Sequence, residues 1–525
     1  MISATAHLLR LARAGFVFAR EGVLALVDTK PLPVGARWAV SLGRLIERPG
    51  AGAGASRLAA ALTRLGPTYV KLGQFLATRP DVVGTAIARD LESLQDKLPP
   101  FPQAEAEAAV AAALGKPVSA VYASFGPAVA AASIAQVHRA EIDEKGGRKT
   151  VAVKVLRPGI ERRFKSDLAA FFYIARKAEG FSTEAQRLRL IEVVATLARS
   201  VALEMDFRLE AAAASEMAEN TRDDADFRVP QVDWDRTARE VLTLEWIDGT
   251  RLADHRTLVA KGFDLPQLGR TVIQSFLRHA LRDGFFHADM HPGNLFIDDD
   301  GRLVAVDFGI MGRLGPKERR FLAEILFGFI TRDYQRTAQV HFDAGYVPRH
   351  HSVESFAQAI RAIGEPIHNR TAEDISMAKL LTLLFEVTGL FDMRTRPELI
   401  LLQKTMVVVE GVARSLDTRL DMWSTADPVV REWIARNLGP VGKLEDVVEG
   451  AGEIGRFAAQ VPNMLMRAGT LFDQFDDLIR EGLVLSEETV DRIASAEAIR
   501  YRWSTAAQWL IVLLLLWIAI VLVLG

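Results

Sequence analysis

The chain has 525 residues, 64 Lys and Arg against 66 Asp and Glu, and a formal net charge of −2. With 25% charged and 49% hydrophobic residues it has ordinary globular composition, which excludes wholesale disorder and, at about 150 residues per domain, allows three to four units. The absence of cysteine excludes disulfides, thiolate metal sites and cysteine nucleophiles, and the near-neutral charge gives no global attraction to nucleic acid.

Met1 to Phe18 is apolar but interrupted by Arg10 and Arg13, so it lacks the unbroken apolar run of a signal peptide. It reads equally as a membrane-surface helix or an amphipathic packing helix. Pro49 to Ser56 is a Gly/Ala-rich break. Residues 57–95 follow a helical pattern that Pro99, Pro100 and Pro102 end, and Ala104 to Leu114 reads as the next helix. Val129 to Ile142 and Thr150 to Leu156 read as two strands around Glu144 to Gly147. Helical segments follow from Ile160 to Asn220, then a strand over Glu240 to Trp246. Pro266 to Asp283 reads as a helix with its proline in the first turn, closed by Gly284. Leu295 to Ile297 and Leu303 to Val306 are short strands joined by Asp298 to Gly301, and everything after Pro316 is mainly helical. Ala506 to Gly525 carries no charge; at about 1.5 Å per residue it covers about 30 Å, enough to span a bilayer. Trp503 and Trp509 are interfacial anchors, and Arg500 and Arg502 hold the upstream chain in the cytoplasm.

Four pieces carry chemistry. Lys154 closes the apolar run Val151-Ala152-Val153, and a buried strand lysine needs an anionic partner. Phe286-His287-Ala288-Asp289-Met290-His291-Pro292-Gly293-Asn294 places Asp289 and Asn294 five apart, the spacing of the kinase catalytic loop. Asp307-Phe308-Gly309 follows an apolar strand. Glu204-x-Asp206-x-x-x-Glu210 lies in a helical stretch, with Asp206 and Glu210 on one face. The order resembles the protein-kinase-like fold: a lysine for phosphates, Asp307 and Asn294 as oxygen ligands for metal, and Asp289 as the carboxylate that positions a hydroxyl or water. His287 and His291 read as scaffolding of the catalytic loop rather than metal ligands.

Three departures stand out. No Gly-rich loop precedes Lys154; Val129-Ala130-Ala131-Ala132-Ser133-Ile134-Ala135-Gln136-Val137 stands there, and alanine does not readily adopt the positive φ that glycine permits. Ala288 replaces the arginine of the catalytic-loop pattern. The stretch after Gly309 runs almost directly into a helix, without a peptide-docking segment.

With Lys71-Leu72-Gly73-Gln74 in LGPTYVKLGQFLATRPD, AAASIAQVH, VAVKVLRPG, EMDFRLEAA, FHADMHPGN and VDFG, the chain resembles the UbiB/ADCK family of atypical kinases, which support ubiquinone biosynthesis. The resemblance covers about Leu65 to Arg313. It implies an α+β, protein-kinase-like two-lobe fold with extra N-terminal helices and a C-terminal transmembrane helix. The corresponding divisions are 1–56 N-terminal, 57–117 helical extension, 118–250 N-lobe, 251–345 C-lobe, 346–502 helical and 503–525 transmembrane. Members often carry two C-terminal spans; one is legible here. It further implies a membrane-bound kinase or ATPase using ATP and Mg2+, with Lys154 and Asp289 catalytic, Asn294 and Asp307 on the metal, and Val129 to Val137, Lys154 and Glu245 around the nucleotide. Lys71 and Gln74, one turn apart, would fold over the cleft as regulatory residues with Glu204, Asp206 and Glu210. Glu204 and Asp206 would meet the Lys71 helix and Glu210 would pair with Lys154, with the pairing of Glu204 to Lys154 left open. Gly73 inside that helix costs about 1 kcal/mol relative to alanine, which points to close packing there. Expected partners are the lipid membrane and ubiquinone-biosynthesis enzymes or prenylated phenol intermediates, with the kinase-like part on the cytoplasmic side of the inner membrane and a homodimer left open. Two other functions compete: a nucleotide-binding membrane scaffold with little phosphotransfer, and a small-molecule kinase.

Overall fold

The computed structural model describes residues 4–438 apart from 27–33, 49–56, 78–82, 84–86, 88, 89, 92, 93, 95–97, 145, 182, 367–386, 388 and 394–396. It divides into two units. The smaller comprises Gly15–Arg57 and Pro440–Gly525. Its described part holds the helix Val34–Leu45, whose Arg44 donates to the Leu24 carbonyl at 3.0 Å, and an Arg57–Glu47 ion pair at 3.1 Å.

The larger unit, Met1–Ala14 with Leu58–Gly439, carries the kinase-like lobes. The first lobe is an antiparallel sheet of β1 (Ser124–Ala131), β2 (Ala135–Glu144), β3 (Gly147–Leu156) and β5 (Val241–Glu245), in that order. Its core face alternates Ala140, Ile142, Val151, Val153, Val155 and Val241, closed by Val110 and Ala106 of the helix Gln103–Leu114. Period-2 burial of branched residues is what a half-covered sheet requires. The sequence reading of one strand over Val129 to Ile142 is corrected here. The run breaks into β1 and β2 at a tight turn, with the Ala132 N–H on the Ala135 carbonyl at 2.8 Å.

The second lobe is built around β4 (Phe227–Arg228), β6 (Gly249–Arg251), β8 (Leu295–Asp298) and β9 (Leu303–Ala305), in spatial order β4-β9-β8-β6, with β7 (Phe285–His287) paired to β10 (Met311–Arg313). Its main helix, Leu265–Arg278, starts at the Asp264 cap with proline in its first turn and runs through a π-helical turn, His279–Asp283, to Gly284 at φ +64°. That glycine is required: a Cβ there would stand 2.5 Å from the Leu314 carbonyl oxygen, in a left-handed backbone. Phe227–Arg228 pairs with β9 of the second lobe before the chain returns to β5. The helices Pro397–Leu416 and Met422–Asn437 contribute Leu402, Val409, Ala413 and Val430 to the second-lobe core.

Among the described residues no helix is long and apolar enough to cross a membrane. The span expected at 503–525 lies outside the described residues.

Candidate active site

Lys154 occupies β3 between Val137 of β2 and Leu242 of β5, which are its register partners. Paired residues share a sheet face, so Val137, Lys154 and Leu242 look the same way while Gln136, Val155 and Val241 face the core. The Lys154 ammonium lies 2.7 and 3.0 Å from the two carboxylate oxygens of Glu210, and donates to Asp307 Oδ2 at 3.2 Å. The Phe207 ring is 5.5 Å from the ammonium. Glu210 is buried in the first turn of the helix Phe207–Asn220, which Asp206 caps by accepting from the Arg208 N–H at 3.2 Å.

The β8–β9 hairpin brings the remaining groups together. Leu295 faces Ala305, so Asn294 stands beside Val306, whose N–H donates to the Asn294 carbonyl at 3.1 Å, and Asp307 follows. Asn294 Nδ2 donates to Asp289 Oδ2 and to its carbonyl, both at 3.1 Å. The amide nitrogen is thus spent on Asp289, and the amide oxygen is the atom left for a cation. Asp307 Oδ1 accepts from the Gly309 N–H at 3.0 Å, while Phe308 sits in the second-lobe core. His287 is buried and neutral: burial lowers its pKa against the opposing fields of Asp289 and Asp307, and its Nδ1 accepts from the Asp289 N–H at 3.1 Å. His291 Nδ1 likewise accepts from the Gly293 N–H at 3.1 Å. Both histidines therefore shape the loop, as expected. Thr405, far along the chain, donates to the Ala288 carbonyl at 3.1 Å and ties a late helix to the same loop.

One ammonium faces two carboxylates, and this sets the electrostatics. Burial alone would lower the pKa of Lys154, but Asp307 and Glu210 raise it above the usual lysine range. Burial pushes Glu210 up to about 7 with help from Asp307, although Lys154 opposes it. Burial would raise Asp307 too, but Lys154 and the Gly309 N–H hold it well below the usual carboxylate range. The cluster carries one negative charge in excess when all three groups are ionised. Asp307 with the Asn294 amide oxygen is a hard oxygen donor set, which suits Mg2+ rather than a nitrogen- or sulfur-seeking ion.

Lys71 is brought to Glu204, with 2.7 Å between ammonium and carboxylate. Glu204 ends the helix Leu190–Glu204, six residues before Glu210. The structure thus settles the pairing: Glu210 takes Lys154 and Glu204 takes Lys71. Asp206 binds its neighbour Arg208 at 2.9 and 2.6 Å, a contact that lowers its pKa. Gln74 shares the helix Pro67–Ala77 with Lys71 and makes no side-chain hydrogen bond to another described residue. Gly73 packs as its cost implied: a Cβ there would lie 2.6 Å from Leu94 and 2.7 Å from Leu62.

Two expected nucleotide residues have other employment. Gln136 is buried; it accepts from the Phe101 N–H at 2.9 Å and donates to the Phe101 carbonyl and to His138 Nε2. The Glu245 carboxylate pairs with Arg228 and accepts from the Gln231 N–H at 3.2 Å. Val129 and Ala130 are exposed at the end of β1, Ala131, Ala132 and Val137 are half-buried, and Ser133, Ile134 and Ala135 are buried. No residue of this loop has positive φ. Sequence reasoning missed Arg157, which donates to the carbonyls of Ala132 at 3.3 Å and Pro99 at 3.0 Å and lies over the Phe101 ring. Arg157 and Gln136 together fasten the alanine-rich turn to the proline-rich segment before it. The only available signal was their position in AAASIAQVH and VAVKVLRPG.

A strand lysine shared with a helical glutamate, a loop aspartate–asparagine pair and a metal-type aspartate after a hairpin define a kinase-like protein. Comparison agrees: residues 93–341 match the family model described as ABC1 atypical kinase-like domain, and 360–421 match the UbiB helical domain. The chain is 39% identical over 448 residues to a "Probable protein kinase UbiB" of Marinobacter nauticus, covering 84% of this chain and 81% of the relative. Proteins of the same name from Azotobacter vinelandii (40% over 398 residues, 75% and 74% covered) and Xanthomonas axonopodis pv. citri (38% over 471 residues, 87% and 84%) are similar to it. A solved structure titled as the complex of Rv3197 with erythromycin from Mycobacterium tuberculosis aligns with a TM-score of 0.48 at 24% identity, over 68% of this chain and 90% of that one. The chain belongs to the UbiB family of atypical kinases, which implies a role in ubiquinone biosynthesis.

Proposed function

We propose that the protein is a membrane-associated, Mg-ATP-dependent phosphotransferase or ATPase that supports ubiquinone biosynthesis. The observation that carries this reading is the Lys154 ammonium held by both Glu210 and Asp307. Glu210 aims the lysine for the phosphates, and Asp307 with the Asn294 amide oxygen would hold Mg2+. When bound, the ion neutralises charge on the transferring phosphoryl group. Asp289, fixed by Asn294, accepts the proton of the attacking hydroxyl or water. The short path from Gly309 through β10 into the helix Pro316–Ile330 leaves little platform for a peptide, which favours a lipid-quinone intermediate, its enzymes or water as acceptor. Lys71 and Glu204 regulate by fastening the extension helix just ahead of the helix that carries Glu210. The C-terminal apolar segment provides the anchor at the inner membrane, with the kinase-like lobes in the cytoplasm.

The test is ATP turnover by the purified full chain, with and without anionic lipid and a phenolic quinone precursor, beside Asp289→Asn. Turnover that depends on Mg2+ and falls at least about a hundredfold in Asp289→Asn is expected for a positioned proton acceptor. Tight nucleotide binding with equal, negligible turnover in both proteins would replace the enzyme by a nucleotide-binding scaffold.

A further inference from the structure

Away from the cleft, three metal-ligating side chains converge. His350 and His351 lie in the turn between the helices Tyr334–Asp343 and Val353–Gly364, and Asp392 lies in a second turn 41 residues further on. Asp392 Oδ2 stands 3.2 Å from His351 Nε2 and 3.6 Å from His350 Nε2. The two imidazole rings are 4.1 Å apart. Ligand bonds of about 2.0–2.1 Å around a tetrahedral zinc-class ion place neighbouring donor atoms about 3.3 Å apart, and the two nitrogen–oxygen separations bracket that edge, with all three donor atoms within 4.8 Å of one another. Among the described residues this is the group of three such ligands close enough to share one ion.

The backbone carries a second observation. Asp392 has φ +47°, a left-handed conformation that non-glycine residues adopt at a cost, though aspartate tolerates it better than most. The next residue back, Phe391, is buried and packs 5.2 Å from the His351 ring and 5.0 Å from Phe356. The buried phenylalanine and the left-handed turn together hold the carboxylate beside the two imidazole nitrogens. No function described above uses any of the three residues.

We propose that His350, His351 and Asp392 form a surface site for a zinc-class divalent transition metal ion, which clips the two turns together. Two imidazole nitrogens and one carboxylate oxygen select Zn2+, Co2+ or Ni2+ over Mg2+, so the site is chemically distinct from the oxygen donors of the cleft. Three protein ligands leave the remaining position to water, because His350 and Asp392 are exposed.

The experiment is calorimetric titration of Zn2+ into the untagged full chain, with millimolar Mg2+ present to mask the cleft, and Co2+ absorption as the reporter of nitrogen coordination. One equivalent of Zn2+ is expected, with affinity reduced at least about tenfold in His351→Gln and in Asp392→Asn. Asp392→Gly serves as the folding control, since it removes the carboxylate while relieving the left-handed backbone. Its metal-free thermal midpoint should equal or exceed wild type, while its Zn2+-induced stabilisation is lost. Absence of Zn2+ binding in wild type, or equal binding by wild type and all three variants, would overturn the proposal and leave a plain imidazole–carboxylate hydrogen bond.

Discussion

Two lysines organise this molecule, and they are held differently. Among the described residues Lys71 meets the carboxylate of Glu204, a clip between helices. Lys154 meets two, Glu210 and Asp307, in a cluster with one more negative charge than positive when all three groups are ionised. A balanced pair is a fastener: its charges are satisfied, and losing either member costs the contact. An overcharged cluster is poised for a cation, because a metal ion that takes Asp307 leaves the Lys154–Glu210 pair intact. The comparison separates a residue that holds helices together from one that serves chemistry, although both are half-buried lysines in ion pairs.

The largest expected break is Lys154→Met. It leaves Glu210 and Asp307 facing each other without their cation, and breaking a buried ion pair costs about 3–5 kcal/mol. Glu210 can take up a proton and relieve part of this, so a loss near about 3 kcal/mol in denaturant unfolding is expected, with the deficit larger at pH 8 than at pH 6. A deficit below about 0.5 kcal/mol would show that the cluster is not what joins the strand to the helix.

Gly73→Ala should cost about 1–3 kcal/mol, since the new methyl overlaps Leu62 and Leu94 and overpacking forces them aside. The same change at the open position Gly180, also helical, should stabilise slightly, and equal effects at the two sites would remove the packing argument.

The excess charge has a signed pH consequence. Glu210 titrates near 7 in the folded protein against about 4.5 in an ordinary environment, so the folded state holds an extra proton between those values. Stability from that proton is present at low pH and is lost as pH rises towards 7. Glu210→Gln cannot titrate. Its thermal midpoint relative to wild type should therefore shift in its favour between pH 5 and pH 7.5. A difference that stays constant across this range would contradict the raised value.

The smallest effect is at the clip. A double-mutant cycle of Lys71→Met and Glu204→Gln should give a coupling of about 1 kcal/mol, as for a partly buried ion pair. The mixed cycle of Lys71→Met with Glu210→Gln should give a coupling near zero, because the two lysines have separate partners. Strong coupling there would merge the two sites into one.

Much of the cleft was legible in sequence because its parts are local. The five-residue spacing of Asp289 and Asn294, the hairpin before Asp307 and the apolar run before Lys154 each lie within one short stretch. Assigning Glu210 to Lys154 and Glu204 to Lys71 needed the fold, since these partners stand 56 and 133 positions apart. The turn between β1 and β2 escaped detection because Ala132, Ser133 and Ile134 carry no Gly or Pro punctuation; the turn is closed by backbone hydrogen bonds and by Arg157. The side-chain partners of Gln136 and Glu245 were hidden for a related reason. A polar side chain on a strand next to the cleft can face either side, and only the register decides which. The period of the Pro397–Leu416 and Met422–Asn437 stretches reveals helices but not the core they join.

The most direct test of the central claim is calorimetric titration of ATP into the full chain, with and without Mg2+, for wild type and Asp307→Asn. Removing the charged metal ligand from the Lys154 cluster should cut Mg-dependent ATP affinity at least about tenfold, while Mg-free affinity stays within about threefold. Undiminished Mg-dependent affinity in Asp307→Asn would contradict the assignment of Asp307 to the metal and, with it, the kinase reading of the cleft.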